Sequence, residues 1–234
     1  MTPENRYTRQ MLLPEIGCEG QEALRRARVL LVGVGGLGSP IALALVGAGI
    51  GTLGIMDADV VSLTNLHRQL LYDETVLHQS KVMTAADRLS HLNAEVQIEP
   101  YDCRLTRDNA AEIIARYDIV VDGCDNYATR FAIDEACAAA GIPYVYGAVR
   151  GFEGQVSVFH YGPSPRRYTD LYPEDNNDAA VTLADRAIVG MTTGLVGNVM
   201  AEQVLKIVCG YAAPLAGRLW TVDLRTLQTL TFDF

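Results

Sequence analysis

The chain reads as an α/β protein: a doubly wound mixed sheet with a parallel N-terminal half and antiparallel C-terminal strands. Three observations predict this. Short β-branched runs alternate with helical stretches through the first 140 residues, a glycine-rich turn directly follows the first run, and beyond residue 141 apolar runs lie close enough for hairpins to join them.

After an amphipathic opening with Tyr7, Met11, Leu12 and Leu13, residues 28–34 (RVLLVGV) are apolar on both faces, as a strand inside a parallel sheet must be. A helix follows over 39–49, with Pro40 in its first turn and Gly47 and Gly49 near its end. The cycle repeats as strand 52–57, polar-faced helix 74–92, strand 96–101, helix 108–116, strand 118–123 and helix 128–140. Right-handed crossovers gather the strand C-termini at one edge, where such sheets bind ligands. Past 141, PYVYGAVRG and GQVSVFHY form a hairpin around 151–154, and 221–223 with 229–232 form a second. Between them, 163–186 is rich in Pro, Asp and Asn and reads as a long crossover loop, functional or disordered. The most apolar tracts, 41–50 and 188–210, read as core helices: the first is too short to span a bilayer, and the second carries Asn198, Glu202, Gln203 and Lys206.

The 234 residues suffice for one large domain with its own core. A net charge of −9 and a pI near 4.9 argue against a nucleic acid or an anionic membrane as partner. The five Cys are scattered, with no C-x-x-C, so neither a zinc knuckle nor a disulfide framework is legible. The N-terminus is polar, without the apolar core of a signal peptide, and a cytoplasmic location is expected.

Gly33-Val34-Gly35-Gly36-Leu37-Gly38 fits G-x-G-x-x-G, after a strand and opening a helix. Glycines there let the backbone approach a phosphate while the helix N-terminus supplies N–H groups and a positive dipole end. Asp57 ends the second strand 24 residues after Gly33, where an acid bonds ribose hydroxyls. The expected division is therefore a helical arm over 1–27, a Rossmann-like nucleotide-binding half over 28–141, and an antiparallel completion over 142–234. The glycines alone do not separate NAD from ATP. The next segment, with Asp59, Asn65, Arg68 and Gln69, places an arginine past the strand tip, where it can neutralise a triphosphate. Lys81 is one of only two Lys in the chain and reads as a phosphate-binding ammonium or a solvated helix-face charge. Asp125 and Asn126 follow the fourth strand at the ligand edge: a carboxylate there holds Mg2+ and an amide bonds the nucleotide, or either residue is a helix N-cap.

Taken together, GVGGLGSP, DADVVSLTNLHRQ, QSKV, DGCDN and GFEGQVSVF resemble the ThiF/MoeB/HesA family, bacterial relatives of ubiquitin-activating enzymes, over nearly the whole chain. The resemblance implies an adenylyltransferase that uses MgATP to adenylate the C-terminal glycine of a ubiquitin-like sulfur-carrier protein, releasing pyrophosphate. On the matching positions Gly36 would approach the phosphates and Asp57 the ribose. Asp59, Asn65, Arg68, Gln69 and Lys81 would surround the triphosphate, and Asp125 would ligate Mg2+. Arg9, in RYTRQ, resembles an arginine that members donate across a homodimer interface. A ThiS-type carrier of thiamine biosynthesis is expected. The alternatives are a molybdopterin-type carrier or a peptide substrate, an NAD-dependent dehydrogenase, or a silent carrier-docking scaffold.

Many relatives carry C-Y-R-C-L-Y-P-E and a later C-x-x-C, together a zinc site. This chain reads Arg167-Tyr168-Thr169-Asp170-Leu171-Tyr172-Pro173-Glu174 and has no second pair, so no zinc is expected, and Arg167 and Asp170 are placed to pair as ions. The nucleophilic Cys of some relatives is also absent, its neighbourhood reading VTLAD at 181–185, so the acyl-adenylate is expected to pass to a separate sulfur-donor protein.

Overall fold

A computed structural model describes residues 5–173, 182 and 187–234. Strands β1 (Arg28–Val32), β2 (Thr52–Met56), β3 (Gln97–Tyr101), β4 (Ile119–Asp122), β5 (Tyr144–Arg150), β6 (Glu153–Phe159), β7 (Arg218–Asp223) and β8 (Gln228–Asp233) form one sheet in the order β3-β2-β1-β4-β5-β6-β7-β8. Pairing is parallel from β3 to β5 and antiparallel from β5 to β8, the mixed sheet expected from the sequence. Strand order reverses between β1 and β4, so the crevice outside their C-terminal ends is the ligand position of a doubly wound sheet.

Side-chain alternation along the strands builds two cores. Val29 and Leu31 of β1 pack on one face with α3 (Gly38–Ala48), α4 (Lys81–Leu92) and α8 (Gly190–Cys209), through residues such as Leu45, Val82 and Met200. Leu30 and Val32 pack on the other with α5 (Arg107–Ile114) and α6 (Tyr127–Ala140), through Ile114, Phe131 and Ile133. Two N-terminal helices, α1 (Thr8–Met11) and α2 (Gly17–Arg26), lie at the strand N-terminal end: Gln10 and Gln21 both donate to the carbonyl of Ala48, the last residue of α3. No helix among the described residues is long and apolar enough to cross a membrane.

The structure departs from the expected elements in three places. The helix read over 74–92 is a 3-10 turn at Glu74–Val76, a break at His78 (φ 66°), and then α4 from Lys81. Ser80 Oγ accepts the Met83 N–H, a cap that starts the helix anew. The second hairpin is longer than its apolar runs suggested, because β7 is half-buried along nearly its whole length and β8 is exposed throughout, so its strand residues carry little apolar signal. The crossover contains a short helix, α7 (Tyr168–Leu171); residues 174–181 and 183–186 of that loop, Glu174 and most of VTLAD among them, lie outside the described residues.

Candidate active site

The glycine turn lies at the switch point and each glycine there has a steric reason. Gly33 sits at φ 90°, and a Cβ on it would come within 2.7 Å of the Gly123 carbonyl oxygen beyond β4. A Cβ on Gly38 would collide with the Gly33 carbonyl, so the turn closes only around a bare α-carbon. A Cβ on Gly35 would crowd Gln69 Nε2 (3.3 Å), and one on Gly36 would crowd Thr193 Cγ2 (3.2 Å) and touch the Arg68 side chain (3.5 Å). Arg68 and Gln69 thus cover the turn leading into α3, and the Asn65 carbonyl accepts both of their amide N–H groups at 3.0 Å.

Asp57 closes the other side. Its Oδ2 accepts the Val34 N–H at 3.0 Å and its Oδ1 the Asp59 N–H at 2.9 Å, tying the end of β2 to the glycine turn. Burial pushes its pKa above the ordinary carboxylate value, partly offset by those two N–H donors and the Lys81 charge. Lys81 is no solvated surface charge: its side chain is 7% exposed, and Nζ donates to Asp59 Oδ2 at 3.3 Å. Asp59 also pairs with Arg104 at 3.3 Å. Of the three ammonium protons, Asp59 takes one, leaving donors for an incoming anion. Arg68 makes no ion pair among the described residues; its guanidinium donates to the Thr64 carbonyl at 3.0 Å and contacts His67. Gln69 is buried and its Oε1 has no partner among the described residues, a polar atom awaiting a donor.

The loop after β4 divides the expected pair of residues. Asn126 is the N-cap of α6, its Oδ1 accepting the Thr129 N–H at 2.9 Å. Asp125 is exposed and makes no ion pair among the described residues, and its neighbour Cys124 has its backbone nitrogen 3.1 Å from where a Gly33 Cβ would be. A free carboxylate at this edge is the donor type that takes Mg2+ together with phosphate oxygens. The chain's own Arg9 is not part of this constellation. It lies on α1, beyond the C-terminal end of α3, whereas the glycine turn is at the N-terminal end, about 16 Å of helix away.

The ThiF family profile matches residues 7–234. A sulfur carrier protein adenylyltransferase of Thermus thermophilus is 43% identical over 224 residues, covering 94% of this chain and 83% of that protein. The chain belongs to the ThiF family. The adenylyltransferase and sulfurtransferase MOCS3 of Culex quinquefasciatus is 44% identical across 93% of this chain, which spans only 50% of that longer relative. Escherichia coli MccB, crystallised with ATP, shares the fold at a TM-score of 0.85 and 20% identity over 99% of this chain and 71% of its own.

Three residues of this ThiF-family site escaped the sequence reading. Arg104 holds Asp59 from the loop after β3. Tyr72 donates to the Val34 carbonyl at 2.9 Å, pinning the glycine turn from outside. Arg130, buried on α6, bonds Asp122 at 3.1 Å and the Cys124 carbonyl at 3.1 Å, and so supports the loop that ends in Asp125. The ion pair expected between Arg167 and Asp170 does not form: Asp170 accepts the Arg167 backbone N–H, and the guanidinium reaches Asp134 instead, a buried carboxylate in a less polar setting. Among the described residues no three His, Cys, Asp or Glu side chains gather as a metal site.

Proposed function

We propose that the chain is an ATP-dependent adenylyltransferase that activates the C-terminal carboxylate of a ubiquitin-like sulfur-carrier protein. The observation that carries this reading is the cluster of Arg68, buried Lys81 and exposed Asp125 around a glycine turn; hydride transfer to NAD has no use for two cationic side chains gathered there. The relatives named as adenylyltransferases support the same reaction class.

The attacking carboxylate is already ionised at neutral pH, so no general base is needed. One of its oxygens bonds to the α-phosphorus as the bond from that phosphorus to the bridging oxygen breaks, and pyrophosphate leaves with the electron pair. The difficulty is bringing an anion to an anion. Lys81 and Arg68 lower that repulsion and stabilise the charge growing on the leaving group, while the amides opening α3 hold phosphate oxygens. Asp57 orients the ribose, and Gln69 Oε1 and Asn65 complete the polar lining. Asp125 would hold Mg2+, which supplies further neutralisation of the phosphates when bound.

Arg9 would reach the site only from a second copy, so we infer a homodimer. Burial pushes the thiols of Cys124, Cys137 and Cys209 up, which disfavours a covalent carrier intermediate on them and supports transfer to a separate sulfur donor. Among carriers, the likeness to zinc-less members favours a ThiS-type, thiamine-pathway carrier over a molybdopterin-type one.

The test is carrier-dependent exchange of labelled pyrophosphate into ATP. Asp125→Ala is expected to lose about 100-fold or more of the exchange. Exchange without any carrier, or undiminished in the variant, overturns the mechanism.

A further inference from the structure

Far from the glycine turn, one buried carboxylate gathers a whole segment of chain. Asp134, in the middle of α6, is 1% exposed. It accepts the Tyr168 N–H at 2.8 Å and faces His160 Nε2 at 2.7 Å, Arg167 at 3.4 Å and the Thr169 hydroxyl at 3.5 Å. All four partners lie within 160–169, and His160 takes φ 56° to present its ring. A non-glycine residue in the left-handed region costs free energy, which the bonds to Asp134 offset.

The segment so held sets Tyr168 onto the sheet, and Tyr172 follows at the end of α7. The Tyr168 ring lies among Phe131, Tyr146 and Phe159, and stacks on Tyr172 at 4.9 Å. Tyr172 in turn packs on Tyr146 at 5.7 Å, and its hydroxyl accepts from Gln155 Nε2. Register places these contacts at the ligand edge. Val121 pairs with Val145, so Tyr146 is one step further, level with Asp122; Gln155 pairs with Ala148, beyond the end of β4. From Tyr146 the contact chain reaches Arg130, whose guanidinium lies 5.4 Å from that ring and bonds the carbonyl of Cys124, next to Asp125.

We propose that Asp134 is a positioning residue: by clamping 160–169 it sets Tyr172 and Gln155 as the wall along which the extended tail of the carrier runs to the glycine turn. This rests on the functional reading above. A polypeptide arriving from the antiparallel half of the sheet must pass the ends of β5 and β6 to reach the switch point. The clamp stands outside the phosphate cluster, so it governs tail binding and leaves ATP binding alone. Binding lost equally from ground and transition states appears in KM.

Two arms test this. In Asp134→Asn, the KM for carrier is expected to rise about 10-fold or more, with kcat at saturating carrier and the KM for ATP within about twofold of wild type. Amide hydrogen exchange at Tyr168, whose N–H bonds Asp134, should lose its protection in Asp134→Ala, which leaves that N–H no acceptor. Should Asp134→Asn fail to fold, the Arg167→Ala/Thr169→Ala double variant removes two partners from the exposed side and is expected to raise the carrier KM about threefold, with the same split. An unchanged carrier KM, or equal losses for carrier and ATP, overturns the proposal. Wild-type protein that adenylates no carrier overturns the functional reading instead, and hydrogen exchange then decides the clamp alone: unchanged protection at Tyr168 refutes it.

Discussion

Lys81 shows how far single residues are legible. Its rarity marks it in the sequence, but only its burial against Asp59 rules out a solvated helix-face charge. Gly33, Gly38 and Asp57 are legible because glycine-turn geometry fixes their spacing within one strand–turn–helix–strand unit. Arg104, Arg130 and Asp134 are not, because the groups they meet are set by tertiary packing: Asp134 meets His160 26 residues away and Tyr168 34 away. Tyr168 carries a cost that no sequence reveals. Its ring is fully buried, yet its hydroxyl has no partner among the described residues. A buried, unsatisfied hydroxyl costs about 1–3 kcal/mol. Tyr168→Phe keeps the ring contacts and removes that group, so it is expected to stabilise the protein by about 1 kcal/mol in urea unfolding. A loss of stability would mean that the hydroxyl does have a partner.

At the scale of elements, strands and helices were legible wherever period and punctuation agreed, and blurred where they conflicted. Polar-faced periodicity runs through 74–92, but the left-handed His78 and the Ser80 cap divide it, and that division puts Lys81 in the first turn of α4, against Asp59. The loop after β4 was ambiguous for a related reason: Asp and Asn suit both capping and ligand binding. The structure gives Asn126 to the cap and leaves Asp125 exposed, with no ion pair among the described residues. Stability and chemistry should therefore separate across one peptide bond. Asn126→Ala is expected to cost about 1 kcal/mol of stability, and Asn126→Asp, which keeps an acceptor for the Thr129 N–H, to restore most of it. Chemical denaturation measures both; equal destabilisation by Ala and Asp would assign Asn126 a role other than capping.

Across the whole molecule, the mixed sheet followed from the order of apolar runs, because parallel strands need crossovers and hairpins do not. What one chain cannot express is a site shared between copies. Arg9 lies past the far end of α3, whereas Arg68, Lys81 and Asp125 surround its near end, so no rotamer of Arg9 reaches its own glycine turn. If a partner copy supplies it, Arg9→Ala and Asp125→Ala damage the same site from different chains. Each variant alone would be inactive as a homodimer. A mixed dimer would instead hold one site with both defects and one with neither. Refolding equal amounts of the two variants gives mixed dimers in half of the population, each with one good site of two, so carrier-dependent pyrophosphate exchange should recover to about a quarter of wild type. Recovery in the mixture, with none in either variant alone, is a result that a site built within one chain cannot produce; a mixture as inactive as its components would return Arg9 to the surface of α1.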